Sequence, residues 1–311
     1  MSSVGTRPSA GRELAFRSHP NLNAPDSIET DAREPEARDG AAIVGSERRL
    51  RPRRADLVTE WPRVSVIIPT INEEQNLPHV LTKLPGRLHE VIIVDGFSDD
   101  RTLDVARLLR PDAKIVLQQC PGKGDALRCG FEAATGDALV MLDADGSADP
   151  AEIPAFVETL MAGADFAKGT RFREGGGSSD ITRLRQIGNR GLNGVVNLLF
   201  RTAYSDLCYG YNAFWRHCLG AMNVDCTGFE VETLINIRIA RAGLHIREVP
   251  SFERDRIHGQ SNLRTFRDGG RVLRTILRER VRRMPHRPHL DDRQHEMRVQ
   301  RPVSGEFDIA G

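Results

Sequence analysis

The chain has 311 residues, of which 39% are hydrophobic and 28% charged, a composition that supports a substantial core and excludes a wholly disordered protein. Its net charge of +1 excludes a globally basic nucleic-acid-binding protein. No apolar run approaches the roughly 18 residues of a membrane span, and residues 1–15 lack the apolar core of a secretory signal. The five cysteines show neither zinc nor disulfide spacing, so we expect reduced thiols in a cytoplasmic protein.

Composition divides the chain into four parts. Residues 1–62 are polar, rich in Pro and without apolar periodicity, which predicts a disordered leader. Residues 63–263 carry the pattern of an α/β domain, residues 264–284 that of a basic amphipathic helix, and residues 285–311 that of a disordered tail. The amphipathic helix would lie either on the inner face of an anionic membrane, as a peripheral contact, or on the domain itself.

Four apolar runs of strand length alternate with helical patterns in the first half of the domain. The predicted strands are 64–69, 90–94, 114–117 and 138–142. This alternation implies right-handed crossovers and a Rossmann-like, mostly parallel sheet flanked by helices. Asn72 is expected to cap the first helix, with Glu73 and Glu74 in its first turn.

Charged residues follow these strands at the edge where α/β proteins bind ligands. Asp143 and Asp145 come after the fourth strand, and alternation along an extended segment points their side chains apart. We expect one to contact a sugar and the other to hold a divalent cation, the alternative being a solvated turn. Asp95 is placed to bind a base or ribose, or else to cap a turn, and Lys123 between two glycines suits an anion. Neither a P-loop nor a Gly-x-Gly-x-x-Gly motif is present.

Residues 64–76, 94–102, 122–124 and 142–147, in this order and spacing, resemble a family 2 glycosyltransferase, closest to the dolichol-phosphate (polyprenyl-phosphate) mannosyl- and glucosyltransferase branch. The resemblance covers residues 64–263 and implies a GT-A fold in one catalytic domain, with a donor half (63–150) and an acceptor half (151–263). It further implies a nucleotide-sugar donor such as GDP-mannose or UDP-glucose, Mg²⁺ or Mn²⁺, and inversion at the anomeric carbon.

The same resemblance assigns roles to residues. It implies a donor-binding set of Pro69, Thr70, Asn72, Glu73, Asp95, Lys123, Asp143, Ala144 and Asp145, with the metal on Asp143 and Asp145. It implies an acceptor-binding set of Arg171, Arg183, Arg185, Arg256 and Ser261, and a catalytic set of Asp143, Asp145, Arg171, Glu230 and Glu232. Asn262 stands where the family usually has lysine, which removes one cation from the phosphate-binding loop.

The acceptor decides what chemistry the glutamates perform. A hydroxyl acceptor needs a carboxylate base, which Glu230 or Glu232 would supply, whereas an ionised acceptor phosphate needs none. We expect transfer of a hexose to a polyprenyl phosphate. Two alternatives stay open: transfer to a hydroxyl of a soluble acceptor, such as a secondary metabolite or cell-wall precursor, and a non-catalytic nucleotide-binding protein of the membrane surface. Residues 175–179 are expected to form a flexible loop that closes over the substrate.

Overall fold

The computed structural model describes residues 60–259 and 265–282, without the side chains of residues 265 and 266. The predicted leader up to residue 59 and the predicted tail lie outside the described residues, as do Ser261 and Asn262.

A mixed sheet of seven strands forms the centre of the molecule. Its strands are β1 (Val64–Thr70), β2 (Glu90–Asp95), β3 (Lys114–Leu117), β4 (Ala138–Met141), β5 (Phe166–Thr170), β7 (Asn212–Trp215) and β8 (Ile246–Pro250), while β6 (Gly177–Ser178) and β9 (Phe252–Glu253) form a separate pair. The order across the sheet is β3-β2-β1-β4-β7-β5-β8. Neighbouring strands from β3 to β4 are parallel, as are β5 and β8, which confirms the mostly parallel sheet. The exception is β7, which runs antiparallel between β4 and β5.

Helices cover both faces of this sheet. They are α1 (Leu77–Leu81), α2 (Thr102–Leu109), α3 (Lys123–Ala133), α4 (Ile153–Met161), α5 (Arg183–Phe200), α6 (Cys218–Met222), α7 (Val231–Arg241) and α8 (Thr265–Val281). Because side chains alternate along a strand, Val66 and Ile68 of β1 pack under α1, α2 and α4, whereas Ile67 packs under α3 and α7. The result is a three-layer helix–sheet–helix arrangement with a core on each side.

The expected capping role of Asn72 is wrong. Helix α1 begins only at Leu77, and Asn72 adopts a left-handed backbone conformation with φ of 54°. The backbone N–H groups of Glu73 and Glu74 donate instead to side chains beyond β2, those of Thr102 at the start of α2 (2.8 Å) and of Asp100 just before it (3.1 Å). These long-range hydrogen bonds hold residues 72–74 as a loop and delay the start of the helix.

Residues 175–179, expected to form a flexible loop, are instead held by backbone hydrogen bonds. Gly177 and Ser178 form strand β6, which pairs with Phe252 and Glu253 of β9. The backbone N–H of Ser179 also donates to the carbonyl of Glu253 at 2.9 Å. This part of the chain is therefore anchored to the segment that follows β8.

Helix α8 packs against α5 and α7. Val272 and Ile276 are buried in a small apolar cluster, and the wholly buried Glu279 accepts from Arg238 at 2.9 Å. Leu273 and Leu277 on the same helix stay exposed. None of the helices in the described ranges combines the length and apolar character needed to cross a bilayer.

Candidate active site

A cavity of about 790 Å³ opens at the carboxyl ends of β1, β2 and β4 and extends to α5 and α8. Eleven residues of the predicted site line it, namely Pro69, Thr70, Glu73, Lys123, Asp143, Ala144, Asp145, Arg171, Arg185, Glu232 and Arg256. The strand ends explain this gathering, because parallel strands deliver the residues that follow them to one edge of the sheet.

Asp143 and Asp145 have different partners. The carboxylate of Asp143 contacts the Lys123 ammonium, with Oδ1 at 2.6 Å and Oδ2 at 2.9 Å. In Asp145, Oδ1 accepts from the backbone N–H (3.0 Å) and hydroxyl (2.7 Å) of Ser147, while Oδ2 lies 3.4 Å from Arg256. Each acid is thus oriented by its own cation, Asp143 by Lys123 and Asp145 by Arg256.

Lys123 is held between two carboxylates at the start of α3. Its Nζ lies 2.6 Å from Asp143 and 2.7 Å from Glu232. Burial opposes the charge, but the two carboxylates outweigh it and raise the pKa of Lys123 above its usual range. A Cβ at Gly210 would lie 3.0 Å from this ammonium, so glycine leaves room for the cluster. Lys123 therefore presents a permanent positive charge to the cavity.

Arg256 bridges the loop after β1 and the loop after β4. Its guanidinium lies 3.1 Å from Glu73 and 3.4 Å from Asp145. The side chain of Asn76 donates to Glu73 at 2.6 Å and exchanges two hydrogen bonds with the backbone of His258. These contacts place the segment after β9 over the loop that follows β1.

Asp95 ends β2 beside the cavity without lining it. Its carboxylate is 2% exposed; Oδ2 accepts from the backbone N–H of Ser98 at 3.1 Å. Its Oδ1 is buried and has no hydrogen-bond partner among the described residues.

Arg171 forms the centre of the opposite wall. Its guanidinium makes two hydrogen bonds to Asp206, at 2.7 and 2.9 Å, and a third to Glu253 at 2.9 Å. Asp206 is wholly buried and also accepts from Asn189 of α5 at 2.9 Å. Burial raises the pKa of Asp206, but Arg171 outweighs it, so the carboxyl pKa lies below its ordinary value. Arg171 thereby joins α5, β9 and the end of β5.

The other predicted acceptor residues differ in position. Arg185 lines the cavity near the start of α5 and lies 3.6 Å from Asp180, whereas Arg183 is exposed and does not line it. Glu230 also lies outside the lining; its Oε1 accepts from the backbone N–H of Gly228 at 3.4 Å, and its Oε2 is buried without a partner in the described part of the chain.

Three residues of the site were not identified from sequence. Asp206 and Glu253 balance Arg171, and Gly210 makes room for the Lys123 cluster. Asp206 and Gly210 belong to residues 206–215, a stretch whose Asp-x-x-x-Gly pattern also resembles the family and was a usable signal. Glu253 had no comparable signal, because a single acid in a two-residue strand is not distinctive.

The cavity residues suit a hard divalent cation. No group of three acids, histidines or cysteines within residues 60–259 and 265–282 is arranged to enclose a metal ion. Asp143 and Asp145 nevertheless offer carboxylate oxygens at the cavity wall. Mg²⁺ is commonly bound by one or two carboxylates together with substrate phosphates and water. The two aspartates fit such a cation provided that a diphosphate completes its ligands.

The sequence profile described as Glycosyl transferase family 2 matches residues 65–222, about half of the chain. The chain belongs to this family. It is therefore a glycosyltransferase, and the resemblance stated from the motifs is confirmed.

Relatives of this family 2 glycosyltransferase include three proteins from two organisms. Glycosyltransferase AglJ of Haloferax volcanii is 29% identical over 69% of this chain and 71% of its own length. The dolichol-phosphate mannosyltransferase of Pyrococcus furiosus is 29% identical over 74% of this chain and 66% of its own. The low-salt glycan biosynthesis hexosyltransferase Agl6 of H. volcanii is 30% identical over 70% of this chain and 53% of its own length. The chain therefore spans about half of that relative. These names support the dolichol-phosphate mannosyltransferase-like branch.

Solved structures establish the fold of this glycosyltransferase. Glucosyl-3-phosphoglycerate synthase from Mycobacterium tuberculosis, in complex with Mn²⁺, UDP and glucosyl-3-phosphoglycerate, matches with a TM-score of 0.56 and 23% identity, over 70% of this chain and 80% of that one. Its complex with Mn²⁺, UDP-glucose and phosphoglyceric acid gives a TM-score of 0.55 and 24% identity, over 72% of this chain and 81% of that one. The predicted GT-A fold is confirmed.

Proposed function

We propose that the protein is an inverting, divalent-cation-dependent glycosyltransferase that moves mannose or glucose from a nucleoside-diphosphate sugar to a polyprenyl phosphate. The observation that carries the proposal is a single cavity with two aspartates and a lysine on one side and arginines on the other. Asp143, Asp145 and Lys123 lie at the strand edge, and Arg171 and Arg185 lie on the opposite side.

The donor end suits a leaving diphosphate. Asp143 and Asp145 would hold Mg²⁺ or Mn²⁺, which supplies positive charge where the diphosphate departs. Lys123 adds a fixed cation on the same side, since its two carboxylate neighbours keep it protonated. Stabilising charge that develops on the leaving group is the largest contribution that such a site makes to rate.

The acceptor end suits an anion that is already ionised. Arg171 and Arg185 line this side of the cavity, Arg256 lines it beside Asp145, and a guanidinium binds phosphate through paired N–H groups. Glu232, the glutamate that faces the cavity, is engaged with Lys123 at 2.7 Å. A phosphate oxygen attacks without a base, and one displacement on the face opposite the leaving group inverts the anomeric carbon.

Exposed apolar side chains flank the same cavity and suit a lipid acceptor. Leu184 and Ile187 of α5 are exposed next to the lining residue Gly188, and Leu273 of α8 is exposed next to the lining residue Val272. Arginines neighbour these side chains in the sequence of both helices, with Arg183 and Arg185 beside Leu184 and Arg274 after Leu273. Apolar residues beside basic ones favour peripheral contact with an anionic membrane surface, where a polyprenyl phosphate resides.

The test of the reaction is nucleotide release from GDP-mannose and UDP-glucose, with Mg²⁺ or Mn²⁺, in the presence and absence of a short polyprenyl phosphate. We expect release from one donor only when both the cation and the lipid phosphate are present. Release that is independent of the lipid, or stimulated instead by a soluble hydroxyl compound, would reject the lipid acceptor. Tight nucleotide binding without release from any donor would support the non-catalytic alternative.

The test of the membrane contact is sedimentation with vesicles of neutral or anionic lipid. The wild type should sediment with anionic vesicles, and Leu184→Ser combined with Leu273→Ser should reduce this several-fold because apolar contact is lost. Leu108→Ser is the matched control, since Leu108 is 80% exposed on α2, a helix that contributes no residue to the cavity. Equal binding by the double variant and the wild type would reject the contact.

Transfer to a hydroxyl of a soluble acceptor is the second candidate, favoured by one observation. The carboxylate of Glu232 reaches the cavity, where it would act as a base if it released Lys123. A strict requirement for Glu232 with a hydroxyl acceptor, accompanied by loss of rate at low pH, would support this candidate over the first.

A further inference from the structure

The two site aspartates are each paired with a cation, but the two pairs differ in closeness. Lys123 lies 2.6 Å from Asp143 and 2.7 Å from Glu232, and its side chain is only 13% exposed. The Arg256 guanidinium lies 3.4 Å from Asp145, which is longer than an ordinary N–H···O hydrogen bond. Arg256 is therefore the more readily exchanged of the two cations.

The orientation of Asp145 leaves one of its oxygens for a cation. Oδ1 accepts from both the backbone N–H and the hydroxyl of Ser147, at 3.0 and 2.7 Å, which fixes the plane of the carboxylate. Oδ2 is the oxygen that faces Arg256. A divalent cation on Oδ2 would take the place beside Asp145 that the guanidinium holds, and two positive groups at one oxygen repel each other.

Backbone contacts hold Arg256 at this position. The N–H groups of Arg254 and Ile257 donate to carbonyls of the loop that carries Asp145, at 2.8 and 3.4 Å. A Cβ at Gly146 would lie 2.6 Å from the Ile257 side chain, so glycine lets the two segments pack closely. The fold of the chain on both sides of Arg256 thus presents its guanidinium to the carboxylate.

A second carboxylate gives Arg256 a partner that does not depend on Asp145. Glu73 lies 3.1 Å from the guanidinium, closer than Asp145, and its side chain is 6% exposed. The amide of Asn76 donates to Glu73 at 2.6 Å and exchanges two hydrogen bonds with the backbone of His258. Asn76 therefore fixes Glu73 to the segment that carries Arg256, and the arginine stays paired when it leaves Asp145.

We propose that Arg256 sets the affinity of the site for its divalent cation by competing with it for Asp145. The guanidinium holds the carboxylate until the cation binds, and Glu73 then remains as its partner. Because a positive charge must give way, the cation binds weakly by itself and more tightly together with a diphosphate, whose oxygens supply further ligands and attract the arginine. This inference rests on the divalent cation and the nucleotide donor proposed above.

Titration of the full chain with MnCl₂ in the absence of nucleotide tests the competition, with free Mn²⁺ measured by electron paramagnetic resonance. Arg256→Gln should bind Mn²⁺ about tenfold more tightly than the wild type, because one neighbouring positive charge is removed. Arg256→Lys keeps the charge and should bind Mn²⁺ as the wild type does. If Arg256→Gln does not fold, Arg256→Met takes its place, since it also keeps the apolar stem without the charge.

Arg254→Gln is the matched control for loss of an arginine from the same segment. Its side chain is 58% exposed and lies 3.2 Å from Asp149, so the substitution should leave Mn²⁺ affinity unchanged. Equal affinity in the wild type and Arg256→Gln would overturn the proposal. An equal gain in Arg254→Gln or in Arg256→Lys would overturn it as well, because neither removes the charge that faces Asp145.

The same titration with saturating UDP, or with GDP if UDP does not bind, measures the coupling between cation and nucleotide. The nucleotide should tighten Mn²⁺ binding in the wild type and should do so by a smaller factor in Arg256→Gln, where no charge has to be displaced. An undiminished factor in the variant contradicts the competition.

Asp145→Asn separates this inference from the proposed cation site, and thermal unfolding checks that each variant is folded. The substitution should weaken Mn²⁺ binding in both the wild-type and the Arg256→Gln background. No effect in either background would reject the cation site and the competition together. Weakened binding in both, without a gain from Arg256→Gln alone, would uphold the cation site and reject the competition.

Discussion

Asp145 is the residue whose loss should affect turnover most directly. Its carboxylate is oriented by Ser147 and Arg256, and no residue of the core depends on it. We expect Asp145→Ala to lower nucleotide release at least about hundredfold, the scale found when electrostatic stabilisation of a transition state is removed. Circular dichroism and thermal unfolding should show an intact fold. The control is Asp112→Ala, because the side chain of Asp112 is 63% exposed. Retained activity in Asp145→Ala would disprove the metal-site assignment.

Glu232 distinguishes positioning from base catalysis. Its carboxylate holds Lys123 at 2.7 Å, so Glu232→Gln leaves the lysine with Asp143 as its close anionic partner. With a polyprenyl phosphate acceptor, we expect about a tenfold loss of kcat, from weakened positioning of one charge, and an unchanged pH–rate profile. Glu132→Gln, on the exposed face of α3, controls for loss of a carboxylate. If the pH–rate profile of the wild type fell at low pH and that of Glu232→Gln did not, Glu232 would instead be identified as a base.

Sequence revealed the cavity residues that follow strands, because a strand end fixes where the next side chains go. Asp143 and Lys123 were placed at this edge in that way, whereas Glu73 entered the predicted site only through the family resemblance. The distant partners of a predicted residue were missed, as Arg171 illustrates. Arg171 pairs with Asp206 and Glu253, which lie 35 and 82 positions further along the chain, and no local pattern predicts that pairing.

At the level of elements, α8 is attached by a buried ionic contact as well as by apolar packing. Glu279 is fully buried and pairs with Arg238, which is also held by Asp225. Glu279→Ala should lower the free energy of unfolding by about 3 kcal/mol, because the buried Arg238 loses its fully buried carboxylate partner and keeps Asp225 alone. Urea unfolding measures this.

The exposed pair between Glu132 and Arg128 on α3 provides the comparison for that experiment. Glu132→Ala should change the free energy of unfolding by about 0.5 kcal/mol or less. Similar losses in the two variants would show that α8 does not depend on the buried pair.

Most elements were predictable because their periodicity is local. The four strands β1 to β4 and the helices between them follow apolar runs of ordinary length. The pairing of β6 with β9 was not predictable, since strands of two residues carry no periodic signal. The start of α1 was misplaced because hydrogen bonds from a loop nearly thirty residues away hold Glu73 and Glu74 outside the helix.

For the whole molecule, stability should depend on pH through Lys168 in β5. This lysine is wholly buried and donates to the carbonyls of Gly169 and Tyr209. Burial lowers its pKa from 10.5 to about 8, against the opposing effect of Asp206. Between these two values the unfolded chain holds a proton that the folded chain has released, so folding stability contributed by this group rises with pH.

Comparison with Lys168→Met isolates this contribution. From pH 8 to pH 10 the free energy of unfolding of the wild type should rise relative to that of the variant by about 2 kcal/mol. Lys83→Met, at an exposed lysine, should show no such trend. A difference between wild type and Lys168→Met that is independent of pH would mean that Lys168 stays charged throughout this range.

The antiparallel strand β7 has a consequence for how the protein is made. One edge of β4 is covered by β1, but the other is covered by β7, which leaves the ribosome 70 residues later, after residues 142–211. At synthesis rates of about 5–20 residues per second this takes roughly 4 to 14 seconds. During that interval an unpaired strand edge is open to association with other nascent chains. Residues 63–141 therefore depend on the arrival of β7 for protection of this edge during translation.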